Sequence, residues 1–293
     1  MAYFTDETKR AAEEAVRRAL SEDLGAKGDI TSAAMIPAAL AGTGSFVFKE
    51  AGVVAGVVVL EEVCRQISKR ILIEVLKGDG EAASAGETAL RIFGPARELL
   101  AAERTALNFI SHLSGVATMT RDFVKAVKGT KALIYDTRKT LPGLRALEKY
   151  AVRCGGGKNH RMGLYDQVLV KDNHIALSQD ATRRASLAEV LIDARRNAPQ
   201  GVLFEVEATT IAEVEAAVAA GADIVMLDNM TPATIRRAVA IAGKRQGRKI
   251  VFEASGGVTL RTVAKIAATG VDRISVGAIT HSARWIDISL EIE

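Results

Sequence analysis

Residues 203–228 read LFEVEATTIAEVEAAVAAGADIVMLD, and this stretch decides the fold. Leu203–Val206 is a short strand-like run. Ile211–Ala220 repeats its apolar residues at helical spacing, and Ile224–Leu227 is a second apolar strand after the Gly221 break. Strand, helix, strand is a βαβ unit, which places the two strands parallel with a right-handed crossover. The alternation extends both ways. Strand-like runs occur at Ala132–Tyr135, Val168–Val170, Ile250–Phe252 and Arg273–Val276. Helical runs at Leu144–Arg153, Leu187–Asn197, Ala233–Ala242 and Leu260–Ala268 lie between them. Six strands in series predict a parallel sheet, and the pattern fits a barrel and an open doubly wound sheet equally.

The first 110 or so residues follow another pattern. Asp6–Ser21 reads as an amphipathic helix with Ala12, Ala15, Val16, Ala19 and Leu20 on one face, and GDITS reads as a turn. β-rich runs at Thr43–Phe48, Val53–Leu60, Ile71–Leu76 and Thr88–Phe93 predict an antiparallel sheet with helices on one face. Pro95 opens a long helical stretch that breaks near Gly115 and resumes to about Lys128. Trp285–Glu293 alternates as a final strand without a helix behind it, which sends it back to the first domain. The expected division is 1–115 plus 284–293 against 116–283.

Composition narrows the function. The chain has 293 residues, 48% hydrophobic and 25% charged, enough for a large core without staples. Two cysteines, Cys64 and Cys154, build no disulfide framework, so a reducing compartment is expected. The charged N-terminus does not read as a secretory signal, and the longest apolar run, Ala51–Leu60, is half the roughly twenty residues a spanning helix needs. A cytoplasmic protein without a membrane partner is the expectation. The net charge of +4 is local: residues 131–171 hold nine Lys/Arg against three acids, +6, which leaves −2 for the rest. No aromatic interleaving or basic tail accompanies this patch, so it favours a small polyanion over nucleic acid.

In parallel α/β folds ligands bind beyond the carboxyl ends of the strands. Those ends carry Asp136, Thr137, Arg138 and Lys139; then Lys171; Glu205 and Glu207; Asp228; Ser255, Gly256 and Gly257; and Val276, Gly277 and Ala278. Arg138 and Arg161 offer planar forks for carboxylates, Lys139 and Lys171 offer point charges, and His160 offers a hydrogen bond. Glu207 and Asp228 offer hard oxygens for Mg²⁺ or for ribose hydroxyls. The glycines of SGGVT and VGAIT offer backbone N–H groups for a phosphate. CGGGKNHRMG reads as a mobile loop over the site. Cys64 and Cys154 read as inert packing, and His112, His174 and His281 as core or capping residues. HExxH, CxxC, GxSxG and the P-loop are all missing from the sequence.

The motifs LSEDLGAKGDITS, ERTALNFISHLSGVAT, DTRKTLPGLRALEKYAVRCGGGKNHRMGLYDQVLVKDNHI, EVEATT, IVMLDN, FEASGGV and ISVGAITHSA run through nearly the whole chain. In them the sequence resembles the quinolinate phosphoribosyltransferases. The resemblance implies an N-terminal α/β sandwich with an antiparallel sheet and a C-terminal incomplete, six-stranded α/β barrel. It implies transfer of phosphoribose from phosphoribosyl pyrophosphate to quinolinate with loss of carbon dioxide, and with Mg²⁺. It also implies a homodimer with a shared site, to which Arg104 is lent by the neighbour. By the same matching Arg138, Lys139, His160, Arg161 and Lys171 hold carboxylates and phosphates, and Glu207 and Asp228 face the ribose and Mg²⁺. Ser255, Gly256, Gly257, Gly277 and Ala278 would then hold the 5′-phosphate. Two other enzyme readings stand beside it: a relative with altered base specificity, such as one associated with molybdenum, and a Schiff-base aldolase using Lys171. A non-catalytic phospho-ligand module is the reading outside enzymes.

Overall fold

The computed structural model describes residues 3–182, 186–242 and 250–293. Along the chain the elements are α1 Asp6–Leu24, α2 Ile30–Met35, β1 Ala41–Phe48, β2 Gly52–Val53, α3 Val57–Ile67, β3 Leu72–Val75, β4 Ala82–Ala83, β5 Thr88–Pro95 and α4 Ala96–Ala126. They continue as β6 Leu133–Tyr135, α5 Arg145–Cys154, β7 Val168–Val170, α6 Asp172–Thr182, α7 Leu187–Asn197, β8 Phe204–Ala208, α8 Ile211–Ala219, β9 Ile224–Asp228 and α9 Pro232–Ala242. The last are β10 Val251–Ser255, α10 Val263–Ala267, β11 Arg273–Ser275, α11 Ala278–His281 and β12 Ile288–Ile292. Contacts divide the chain into one unit of Met1–Arg121, Lys139–Gly157 and Ile279–Glu293 and a second of Asp122–Arg138 and Lys158–Ala278. Residues 116–121, 139–157 and 279–283 therefore group with the first unit, where sequence alternation places them with the barrel.

The first unit holds an antiparallel sheet in the order β12-β1-β5-β3. β12 pairs along β1 from Gly44↔Ile292 to Phe48↔Ile288, so the C-terminal strand does return to this sheet. Phe46, Phe48, Leu90 and Ile92 from the sheet and Leu99 and Ile110 from α4 are fully buried in its core.

Four local readings change here. Val53–Leu60, rich in β-branched residues, is not one strand: β2 ends at Val53 and α3 begins at Val57. Gly56 turns the chain with φ +109°, and the Asp79 carboxylate accepts the Gly56 N–H at 2.8 Å and the Val57 N–H at 3.1 Å. α3 then buries Val57, Leu60, Val63 and Cys64. Burying one Val or Leu is worth about 1.5–3 kcal/mol, which outweighs a strand preference spanning about 1 kcal/mol. GDITS is a helix start, with Asp29 capping α2 through Thr31 and Ser32. α4 runs unbroken for 31 residues. Gly115 marks a close approach there, since a Cβ would lie 2.2 Å from the Arg284 carbonyl oxygen. α5, read as a barrel helix, belongs to the first unit: the Tyr150 hydroxyl donates to Asp79, and Arg153 donates to the Tyr3 carbonyl.

The second unit holds a six-stranded sheet, all parallel, in the order β6-β11-β10-β9-β8-β7. Its ends are β6 and β7, so among the described residues the sheet is not closed. A Thr210–Glu213 capping box starts α8. CGGGKNHRMG is tied down at two points. A Cβ on Gly155 would meet the Ala117 carbonyl at 2.5 Å, and the Lys158 N–H donates to the Ile134 carbonyl at 2.8 Å, which extends pairing along β6.

Candidate active site

Strand register builds the site. Across the second sheet Leu169 lies opposite Glu205, Glu207 opposite Met226, Met226 opposite Glu253, Glu253 opposite Arg273, and Asp228 opposite Ser255. Side chains alternate along a strand, so residues two apart share a face. Lys171, Glu207, Asp228 and Ser255 therefore fall on one face at the carboxyl ends of four neighbouring strands. Thr137 and Gly277 hold the equivalent positions beyond β6 and β11. All six are half-buried.

The cationic sector converges partly. Arg138 and Arg161 are half-buried. Burial first, and then the neighbouring Arg138 charge, push the Arg161 guanidinium below its ordinary value. Its Nη1 donates to the Gln167 carbonyl at 3.2 Å. Two guanidiniums that repel each other are relieved by a ligand carrying more than one negative charge. The Lys171 ammonium pairs with the Glu207 carboxylate. Lys139 is exposed and lies in the first unit, where its carbonyl accepts the Thr280 hydroxyl at 2.6 Å. Arg104 also lies in that unit, on α4, lining a cavity of about 280 Å³ with Asn108, Trp285 and Asp287.

The glycine sector is a pair of tight turns. Gly256 and Gly257 have φ of +90° and +57°. SGGVT does not open directly into a helix: a turn held by the Thr259 and Thr262 hydroxyls intervenes before α10 at Val263. After β11, Gly277 follows the buried Val276 and leads straight to Ala278 at the start of α11. α10 and α11 have only 5 and 4 residues, so these turns present local N–H groups rather than the end of a long helix.

Behind the rim is a buried polar layer. His160, Glu205 and Glu253 are 8%, 0% and 0% exposed. The His160 Nε2 lies 3.3 Å from Glu205 and 3.4 Å from Glu253. Burial alone would lower the imidazole, but hydrogen bonds and charge from the two carboxylates raise it from 6.5 to about 10. Nδ1 instead accepts the Arg161 N–H at 2.8 Å, which favours the neutral ring. Nε2 carries a proton in both forms, so it is the donor facing the acids. Burial, and then the Glu253 charge, push Glu205 up.

Three residues of this site carry no site role in the sequence reading. Asn229 has φ +52°, the one positive value outside glycine among the described residues. Its amide donates to Asp228 at 2.7 Å, and a Cβ on Gly256 would lie 2.3 Å from its Oδ1. Glu253 and Gln167 are the others, and Gln167 donates to Glu205. The signal for Glu253 is an acid inside an apolar run, IVFEAS, which mirrors Glu205 in LFEVEA. Cys64 and Cys154 are buried and free, His174 accepts the Lys171 N–H at 3.0 Å, and His112 pairs with Glu148 at 2.9 Å.

A parallel α/β sheet whose rim joins guanidiniums, a Lys–Glu pair and glycine turns defines an enzyme for anionic, phosphorylated substrates. Comparisons sharpen this. Residues 29–114 match the N-terminal domain of quinolinate phosphoribosyl transferase, and residues 116–291 match its C-terminal domain. The nicotinate-nucleotide pyrophosphorylase [carboxylating] of Mycobacterium leprae is 45% identical over 96% of this chain and 97% of its own. The probable Bacillus subtilis enzyme of that name is 42% identical over 92% and 90%. The solved nicotinate-nucleotide pyrophosphorylase of Francisella tularensis superposes with a TM-score of 0.88 at 40% identity, covering 97% of this chain and 96% of its own. The chain belongs to the quinolinate phosphoribosyltransferase family.

Proposed function

We infer that this protein transfers phosphoribose from phosphoribosyl pyrophosphate to quinolinate, releasing pyrophosphate and carbon dioxide and yielding nicotinate mononucleotide for NAD biosynthesis. The observation that carries this reading is that Arg138 and Arg161 lie close enough to feel each other's charge, in the unit whose strand ends also hold the Lys171–Glu207 pair. A pyridine diacid carries two carboxylates, one for the planar fork of each guanidinium. Departure of pyrophosphate develops positive charge at the ribose C1, and the Glu207 and Asp228 carboxylates oppose it. Lys171 offsets charge on the leaving phosphates. The quinolinate ring nitrogen forms the new bond to C1. The resulting pyridinium accepts the electron pair of the adjacent carbon–carboxylate bond as carbon dioxide leaves, and a solvent proton replaces it. No side chain serves as nucleophile, and the protein contributes position and field. An ammonium held by a carboxylate offers no lone pair, which weighs against Lys171 as a Schiff-base amine.

Glu207 and Asp228 suit Mg²⁺, being hard carboxylate donors on one face of neighbouring strands, already oriented by Lys171 and Asn229. Bound there, the cation would supply charge neutralisation for the pyrophosphate. Ser255, Gly256, Gly257, Val276, Gly277 and Ala278 receive the 5′-phosphate, Thr137 and Lys139 contact substrate, and a homodimer shares Arg104 between sites; these assignments come from the family resemblance. Two unpaired buried cysteines suit a cytoplasmic location, and no described helix is long and apolar enough to cross a membrane. The deciding experiment combines protein, quinolinate, phosphoribosyl pyrophosphate and Mg²⁺. Carbon dioxide and nicotinate mononucleotide appear together if the reading holds, and absence of both overturns it.

A further inference from the structure

One layer below the rim, the second sheet buries two acids where apolar side chains would cost less. Glu205 and Glu253 stand two strands apart, joined by the register through Met226 and Glu207 on one face. The Glu205 carboxylate takes the Gln167 amide, and the Glu253 carboxylate takes the Ser275 hydroxyl. Their remaining oxygens, Glu205 Oε1 and Glu253 Oε2, are buried without a hydrogen bond. Buried carboxylates of this kind are expensive and give little stability over an apolar pair. The oxygens that take Gln167 and Ser275, Glu205 Oε2 and Glu253 Oε1, also lie 3.3 and 3.4 Å from the His160 Nε2.

The other side of His160 is equally fixed. Its backbone N–H donates to Asp136 at 2.8 Å, and Asp136 also accepts the Asn159 amide at 2.6 Å. Nδ1 accepts the Arg161 N–H. The imidazole is thus a strut from β8 and β10 to the backbone of Arg161, whose guanidinium bonds the Gln167 carbonyl and feels the Arg138 charge. If the ring rotates, the Arg161 backbone loses its partner.

We propose that Glu253, acting with Glu205, is a positioning residue for the transfer: the two carboxylates lock the His160 ring, and the ring sets where the Arg161 guanidinium meets a carboxylate of the base. This rests on the function proposed above and adds a residue to it. Glu253 touches no substrate. Its effect falls on quinolinate, not on phosphoribosyl pyrophosphate.

The test is Glu253→Gln, which keeps shape and removes charge, with Ser275→Ala as a gentler second variant that frees the Glu253 carboxylate. Wild-type turnover in the same assay checks the underlying function separately. The expected result is a rise of about 10-fold or more in the quinolinate KM of Glu253→Gln, since displacement of a positioning group by about 1 Å costs up to 100-fold. The phosphoribosyl pyrophosphate KM stays within about twofold, and Ser275→Ala shifts the same way by less. In an Arg161→Lys background Glu253→Gln adds less than about twofold, because both act through one guanidinium. Equal rises in both KM values, no rise in either, or additive effects with Arg161→Lys would overturn the proposal. The three ligand atoms also lie within 4.8 Å of one another, a cation's spacing. A stoichiometric metal that survives chelation in wild type and is lost in Glu253→Gln would overturn the strut as well.

Discussion

Lys171 and Glu207 are ion-paired across the carboxyl ends of neighbouring strands, Lys171 just past β7 and Glu207 within β8. The pair is asymmetric: the Lys171 side chain is 42% exposed and that of Glu207 is 11% exposed. The lysine is the more exposed partner, free to turn toward the pyrophosphate group of the proposed donor substrate, while the carboxylate stays anchored in the sheet. Glu207→Gln releases the lysine and removes the anion proposed to face the ribose. Its kcat should fall about 100-fold, a magnitude typical for losing one electrostatic contact to a transition state. Quinolinate affinity by calorimetry should move less than about threefold, because the residues proposed for its carboxylates are Arg138 and Arg161. A kcat equal to wild type contradicts the role.

Arg138→Ala separates the two substrates. Removing one guanidinium from a carboxylate should weaken quinolinate binding by about 2–3 kcal/mol, the worth of a charge-assisted hydrogen bond whose partner is left unmatched. It also relieves Arg161 of a neighbouring positive charge. Titration calorimetry with each substrate in turn is the measurement, and equal losses for both substrates defeat the assignment.

Gly256→Ala tests the glycine turn. Its φ of +90° strains any side chain, and the added Cβ would lie 2.3 Å from the Asn229 Oδ1. A loss of about 1–3 kcal/mol in stability is expected from the strained backbone alone. Pairing it with Asn229→Gly should recover the packing part and leave the backbone part. Thermal melts of the single and double variants decide this, and a Gly256→Ala variant as stable as wild type refutes it.

The thiols carry a pH prediction. Burial first, then the nearby Glu61 charge, push Cys64 from 9 up to about 12, and burial raises Cys154 as well. Neither should react with a thiol reagent in the native protein at pH 8, and both should react after denaturation. For an acid whose folded value lies above its unfolded one, the stabilising contribution is complete below the unfolded value and fades as pH climbs through the folded one. Cys64→Ala should therefore show a smaller loss of stability between pH 9 and about 12 than wild type. Parallel alkaline melting curves for the two proteins contradict this.

Several local misreadings share a cause. Val53–Leu60 has the composition of a strand, yet Asp79, more than twenty residues on, caps a helix there. Gly115 looks like a helix break because glycine usually is one, and only the Arg284 backbone lying against it explains the missing side chain. α5 occupies a barrel helix's place in the alternation, but Tyr150 and Arg153 bond to the first unit. Each case turns on a residue distant in sequence, which no local window contains.

The sequence by itself determined the βα alternation, the six-strand count, the rim residues Lys171, Glu207, Asp228 and Ser255, and the family. Period-two and period-3.6 patterning is local, and strand ends are read directly from it. Only the tertiary structure decided that Lys139 groups with the first unit, that Asn229 takes a left-handed conformation against Gly256, and that Glu253 reaches His160 across the sheet. Those relationships depend on which strands become neighbours and in what register, and hydrogen bonding between distant segments fixes both.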